Sequence, residues 1–141
     1  MAEPRELVSA RRHLAFAEAE LDSADGLARL QEGLGLLDDL IAGRDAAVAR
    51  TAGNLAATYA ARIYEQIGAA VQKAARLPEP TLEHYFKVVL ALDQVGAALP
   101  ATAVELKLAV ARALIDRYYE GHSPEQKRAA LEQLAALKGE S

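Results

Sequence analysis

The chain has 141 residues, enough for one domain with a real core and no external staples. Its composition, 52% hydrophobic, 26% charged and only 5% aromatic, excludes wholesale disorder and favours helices packed closely through Ala and Leu. Its net charge of −4, with no Cys, argues against nucleic-acid binding and removes disulfides, thiol catalysis and thiolate metal sites.

No run of about 18 apolar residues occurs, so no membrane span is expected. The opening MAEPRELVSARRH lacks the apolar centre of a signal peptide, which makes the cytoplasm the default location. Charge is uneven along the chain. Residues 1–43 carry four basic and nine acidic side chains, and residues 44–78 carry five and two. An acidic hairpin lying against a basic central helix accounts for this pattern.

The first helix is expected over about 4–21, with Pro4 in its first turn and Leu7, Ala10, Leu14, Ala17 and Leu21 as its buried stripe. Asp22 and Ser23 suit the N-cap of a second helix, about 24–42, whose seam is Leu27, Leu30, Leu34, Leu37 and Ile41. Gly33 and Gly35 either permit a close crossing or weaken this helix, and Gly43 reads as a left-handed cap.

Asp45 then opens the longest element, about 45–77. Val48, Ala52, Leu55, Tyr59, Ile63, Ile67, Ala70, Ala74 and Leu77 recur every three or four residues, an apolar stripe along one helical surface. Gly53, Ala57, Ala60, Gly68 and Ala75 form a second strip beside it, with Tyr64 and Val71 among them. A helix apolar over so much of its circumference needs partners on more than one side.

Pro78-Glu79-Pro80 stops the long helix. A fourth helix, about 81–98, faces Leu82, Tyr85, Phe86, Val89, Leu92 and Val95 inward and ends at Pro100. Thr102 and Glu105 read as a capping box for a fifth, 103–120, buried through Val104, Leu108, Ala111, Ile115 and Tyr118 and stopped by Gly121. Ser123-Pro124-Glu125-Gln126 starts a short sixth helix to about Lys138, with Leu131 and Leu134 as its apolar face. The expectation is therefore all-α: a single domain of about six helices, as an up-down bundle or stacked hairpins around the long central helix.

Two families share parts of this layout. Residues 52–78, with AGNLAATY early and QKAARLP at the end, resemble one tetratricopeptide unit, although the turn glycine between its two helices is missing. The order of a helix, a hydrophobic second helix and a long helix holding Asn54-Leu55-Ala56-Ala57-Thr58-Tyr59 is similar to that of the flagellin export chaperones. The N-terminal tyrosine segment of that family is absent, and helices five and six are extra. No functional residue is carried across from either.

Little here suggests chemistry. His13, His84 and His122 fall on different elements, without the pairing a metal site needs. Glu18 with Asp22, and Asp38 with Asp39, are acid pairs near helix ends, where carboxylates are normally solvated. Phosphate-binding glycine motifs and nucleophile elbows do not occur. No cofactor or metal is expected, and no enzymatic activity.

The polar band Asn54, Thr58, Arg62 and Glu65 lies one turn apart on the central helix, where it suits a partner's backbone or carboxylate. The plainer alternative makes it the solvent side, with Arg62 and Glu65 as an i,i+3 pair. Tyr119 is the surface candidate among the aromatics, while Tyr118 and Phe86 have core spacing. These features point to a non-catalytic adapter or small chaperone that holds a partner helix or peptide in an inter-helix groove, with homo-oligomerisation as a companion possibility. The competing reading is a small-molecule sensor or small enzyme. Its pocket would lie between helices four and five, with His84, Tyr85 or Arg112 as polar groups.

Overall fold

A computed structural model describes residues 3–74, 76–94, 99–120, 123–130 and 132. These form five helices, α1 (Arg5–Ala19), α2 (Ala24–Ile41), α3 (Ala46–Lys73), α4 (Glu79–Asp93) and α5 (Ala101–Tyr118), and a sixth helical stretch over 124–130. No strand occurs among the described residues, and the all-α class holds. Val95, Gly121, His122, Leu131 and Leu134, each given a place from the sequence, lie outside the described residues.

Helix α1 buries Leu7, Ala10, Leu14 and Ala17 against α2, which answers with Leu30, Leu34 and Leu37. Ser23 ends the intervening turn as an N-cap, its Oγ accepting from the Gly26 amide at 2.9 Å. Gly26 packs directly on the Glu20 carbonyl, and a Cβ on Gly33 would sit 3.0 Å from that of His13. These two contacts, 20 with 26 and 13 with 33, fix an antiparallel register. Gly33 is thus the close crossing, whereas Gly35 faces open space.

Helix α3 runs 28 residues without a break, about 42 Å. Asp45 caps it, one carboxylate oxygen accepting from the amides of Ala47 and Val48. The buried face is Ala52, Ala56, Ala60, Ile63, Tyr64, Ile67 and Val71. It is rotated from the expected stripe toward the strip of small residues: Val48, Leu55 and Tyr59 are only half-buried. Alanines one turn apart leave room for neighbouring backbones to approach, and all four other helices touch α3. It ends at Lys73, four residues short of the expected Leu77, because Ala74 is already extended (φ −83°, ψ 127°). The unbroken rod also departs from the tetratricopeptide likeness, which implies a turn inside 52–78.

Direction alternates along the chain. Phe86 against Tyr118 and Asp93 against Lys107 make α4 and α5 antiparallel. Gly68 beside Val110 and Val71 bonded to Arg117 make α3 and α5 parallel. The main neighbour of α3 is α5 rather than the consecutive α4. Helix α4 is drawn toward the α1–α2 turn, where His84 Nε2 donates to the Leu21 carbonyl at 2.8 Å and the Tyr85 hydroxyl to Asp22 at 2.5 Å.

Two other expected signals are replaced. Gly43 is not left-handed; Ala42 stays right-handed (φ −78°, ψ −9°), and the Gly43 amide closes a tight turn onto Leu40. No Thr102 capping box forms, because α5 begins at Ala101 directly after Pro100 and Thr102 already lies in its first turn.

The Tyr64 hydroxyl is fully buried and has no hydrogen-bond partner among the described residues. Burial, with the Asp93 carboxylate adding to it, pushes its pKa far above the usual phenol range. An unsatisfied buried hydroxyl costs about 1–3 kcal/mol. Tyr64→Phe is therefore expected to raise stability by about 1 kcal/mol in urea unfolding; a loss of that size would show that the hydroxyl is satisfied. In the same assay Gly35→Ala should gain about 0.5–1 kcal/mol. Gly26→Ala should lose several times that, since its methyl would meet backbone.

Candidate functional site

Helix α5 shows which of its faces the core needs. Ala103, Val110 and Leu114 are its deepest residues, turned toward α3. Of the expected stripe, Ala111 and Ile115 are buried, but Val104, Leu108 and Tyr118 are only half-buried. The sequence had α5's inward face rotated by part of a turn.

The displaced stripe lines a cavity of about 430 Å³ between α4 and α5. Phe86, Val89 and Leu90 form one wall, and Leu108, Ala111 and Ile115 the other. Leu90 is 55% exposed, the most open large apolar side chain described. Ala130, from the sixth helical stretch, closes part of one side. That stretch is capped by Ser123 and tied to α5 by Lys127 and Asp116 at 3.0 Å.

Polar groups sit at the ends of this groove. Asp93 and Lys107 pair across it at 2.6 Å. Toward the other end lie Glu83, Tyr118 and Tyr119. The Tyr118 hydroxyl is hydrogen-bonded to Glu79, and that bond, with the charges of Glu79 and Glu83, raises its pKa. Phe86, Tyr118 and Tyr119 all line the groove half-buried, and of the three Phe86 and Tyr118 pack against the core, as their spacing predicts.

The polar band of the central helix is exposed at all four positions. Asn54, Thr58 and Arg62 are brought together in a shallow surface depression with Ala57, Ala61, Leu99 and Pro100; Glu65 is outside it, and Tyr119 belongs to the α4–α5 groove. Arg62 pairs with Glu18 at 2.6 Å rather than with Glu65, and Gln66 donates to the same carboxylate at 3.0 Å. Glu18 is consequently a structural acceptor joining α1 to α3, not a solvated end group.

Of the polar groups expected in a pocket between α4 and α5, His84 and Tyr85 point away to the α1–α2 turn, and Arg112 is exposed outside the lining. The lining polar groups are Glu83, Asp93, Lys107, Tyr118 and Tyr119 instead. Among the described residues no three His, Asp or Glu side chains cluster as metal ligands, and no helix is long and apolar enough to cross a membrane. The chain matches no family model, no curated protein and no solved structure.

Tyr85 reports on how α4 is held. Burial, then its bond to Asp22, pushes its phenol up to about 12 from an ordinary 10. The unfolded phenol ionises near pH 10 while the folded one keeps its proton to about 12. Stability is then complete below pH 10 and falls as pH rises through that window. Urea unfolding across pH 9–12 should show this fall, to which the raised phenols of Tyr64 and Tyr118 also contribute, and Tyr85→Phe should make it shallower while costing about 1 kcal/mol at neutral pH. An unchanged slope in that variant would mean another group sets the alkaline limit.

Proposed function

We propose that the protein is a non-enzymatic interaction module, an adapter or small chaperone of the cytoplasm, that takes an apolar segment of a partner protein into the groove between α4 and α5. The observation that carries this reading is the groove itself: about 430 Å³ bounded by Phe86, Val89, Leu90, Leu108, Ala111 and Ile115, with Leu90 55% exposed at its rim. Helix-in-groove recognition uses such a surface, with apolar anchors entering between two helices. The rest of the molecule is spent on packing. His84, Tyr85, Glu18 and Arg62 each hold one part of the fold to another.

The groove moves the proposed docking surface from the central helix to the α4–α5 edge. The depression around Asn54, Thr58 and Arg62 is shallower and more polar than the α4–α5 groove, although Ala57, Ala61, Leu99 and Pro100 also line it, and Arg62 already serves Glu18. Homo-oligomerisation would use the same α4–α5 edge, where the described residues leave a concave apolar surface.

A photo-crosslinking residue placed at Leu90 in one variant and at Thr58 in another separates the surfaces. Crosslinking in the native host is expected to trap a partner protein, or a second copy of the chain, from position 90 and not from 58. Trapping only from 58 would return the function to the central helix, and trapping from neither would remove the interaction reading.

A further inference from the structure

The sixth helical stretch, 124–130, begins beyond the end of α5 and turns back over it. Lys127 pairs with Asp116 at 3.0 Å, and Ala130, three residues on, lines the α4–α5 groove together with Ala111 and Ile115. Burial fixes the rotation of the stretch. Lys127 and Ala130 are half-buried, whereas Pro124, Glu125, Gln126, Arg128 and Ala129 are exposed, and so is Glu132, which is helical too.

At helical spacing, positions 127, 130, 131, 134 and 137 share one face and 132 lies opposite. The inner face of the stretch therefore meets the groove where Leu131, Leu134 and Leu137, outside the described residues, would extend it. Residues 130–137 are Ala, Leu, Glu and Gln throughout, all strong helix formers, and the next stop signal is Gly139. Length fits as well. From Ala130 to Leu137 is about 10 Å of helix, and so is the groove wall from Ile115 back to Leu108. The opposite wall holds Leu90, 55% exposed.

We infer that residues 131–138 of the chain itself occupy the α4–α5 groove, with Leu131, Leu134 and Leu137 laid along it, and so compete with any outside segment. The inference rests on the groove reading above and adds to it a resident competitor. A segment tethered this close to its site acts at an effective concentration of about millimolar, so a weak apolar contact is enough to fill the groove. With about nine molecules in ten filled, the apparent affinity for an outside segment falls about tenfold.

The chain has no Cys, so introduced thiols report proximity cleanly. Leu90→Cys with Leu134→Cys in the full chain should close an intramolecular disulfide under mild oxidation about tenfold faster than Leu90→Cys with Glu132→Cys, whose thiol lies on the outer face. Non-reducing electrophoresis and intact mass separate a bridge within one chain from a bridge between two. A fluorescent peptide of residues 126–138 then probes the groove. It should bind the full chain carrying Leu134→Glu and Leu137→Glu about tenfold more tightly than the unaltered chain. Adding Leu90→Asp to that variant should abolish the gain. Circular dichroism checks that the variants fold.

Equal bridging from 134 and 132, bridges only between chains, or equal peptide binding by the two proteins overturns the inference. The groove reading then stands or falls on crosslinking from position 90 alone. Failure of that crosslinking, with the bridge and the peptide behaving as expected, overturns the partner reading and leaves the groove filled by the chain itself.

Discussion

The structure depends on a single demand, that a 28-residue helix with apolar groups around more than half its surface be covered from several sides at once. Helix α3 meets it with a face of Ala52, Ala56, Ala60, Ile63, Tyr64, Ile67 and Val71, none more than 2% exposed. Small side chains in its first half let the neighbouring helices approach closely. Larger ones in its second half fill the space where α5 lies parallel to it. The end of α3 is also tied to this contact, since Arg117 of α5 donates to the Val71 carbonyl in its last turn.

Coverage is shared between two pairs of helices built differently. The α1–α2 hairpin is dense: a tight capped turn, glycines at the crossing and a continuous leucine seam. The α4–α5 pair is looser and is fixed mainly at its ends. His84 and Tyr85 anchor the start of α4 to the α1–α2 turn, Phe86 wedges against Tyr118, and Asp93 reaches Lys107. Between these ends α5 offers Ala111, too small to fill the gap to Val89 and Leu90. The groove follows from struts at its ends and a short side chain in its middle.

Much of this was legible in the residues. Ser23 and Asp45 act as N-caps where their positions predict, and the seams of α1 and α2 bury the leucines that their spacing selects. The long helix passes Gly68 unbroken because a lone glycine costs only about 1 kcal/mol, which tertiary packing readily outweighs. What periodicity could not convey was rotation. Helix α5 is apolar on two adjoining faces, and spacing alone does not say which faces α3. Val104, Leu108, Ala111, Ile115 and Tyr118 form the more conspicuous stripe, yet Ala103, Val110 and Leu114 lie deepest. The end signals failed for a related reason. The Thr102 box and the Gly43 cap are local possibilities, and Pro100 and the right-handed Ala42 supply cheaper local endings. The long-range acceptors Glu18 and Asp22 have no local signature at all, being matched to Arg62 and Tyr85 only once the chain has folded.

That rotation of α5 bears directly on the proposed function. A stripe needed for the core is buried by the chain's own helices; a second stripe that the core does not need remains available, and keeping it apolar carries a solubility cost. Here the less buried part of that stripe, Leu108 and Tyr118, lines the same groove as Phe86 and Leu90 of α4, so they add into one concave surface rather than scattering as separate exposed residues. Val8 and Phe16 on α1, 37% and 38% exposed, illustrate the contrast: they project singly from a convex face, and Arg29 lies over the Phe16 ring at 4.8 Å. Isolated apolar side chains of that kind are ordinary on any protein surface. Concavity and apolar walls on both sides, with charged groups at both ends and aromatic rings at one, are what distinguish the α4–α5 groove. Together they make it the surface that the proposed docking would use.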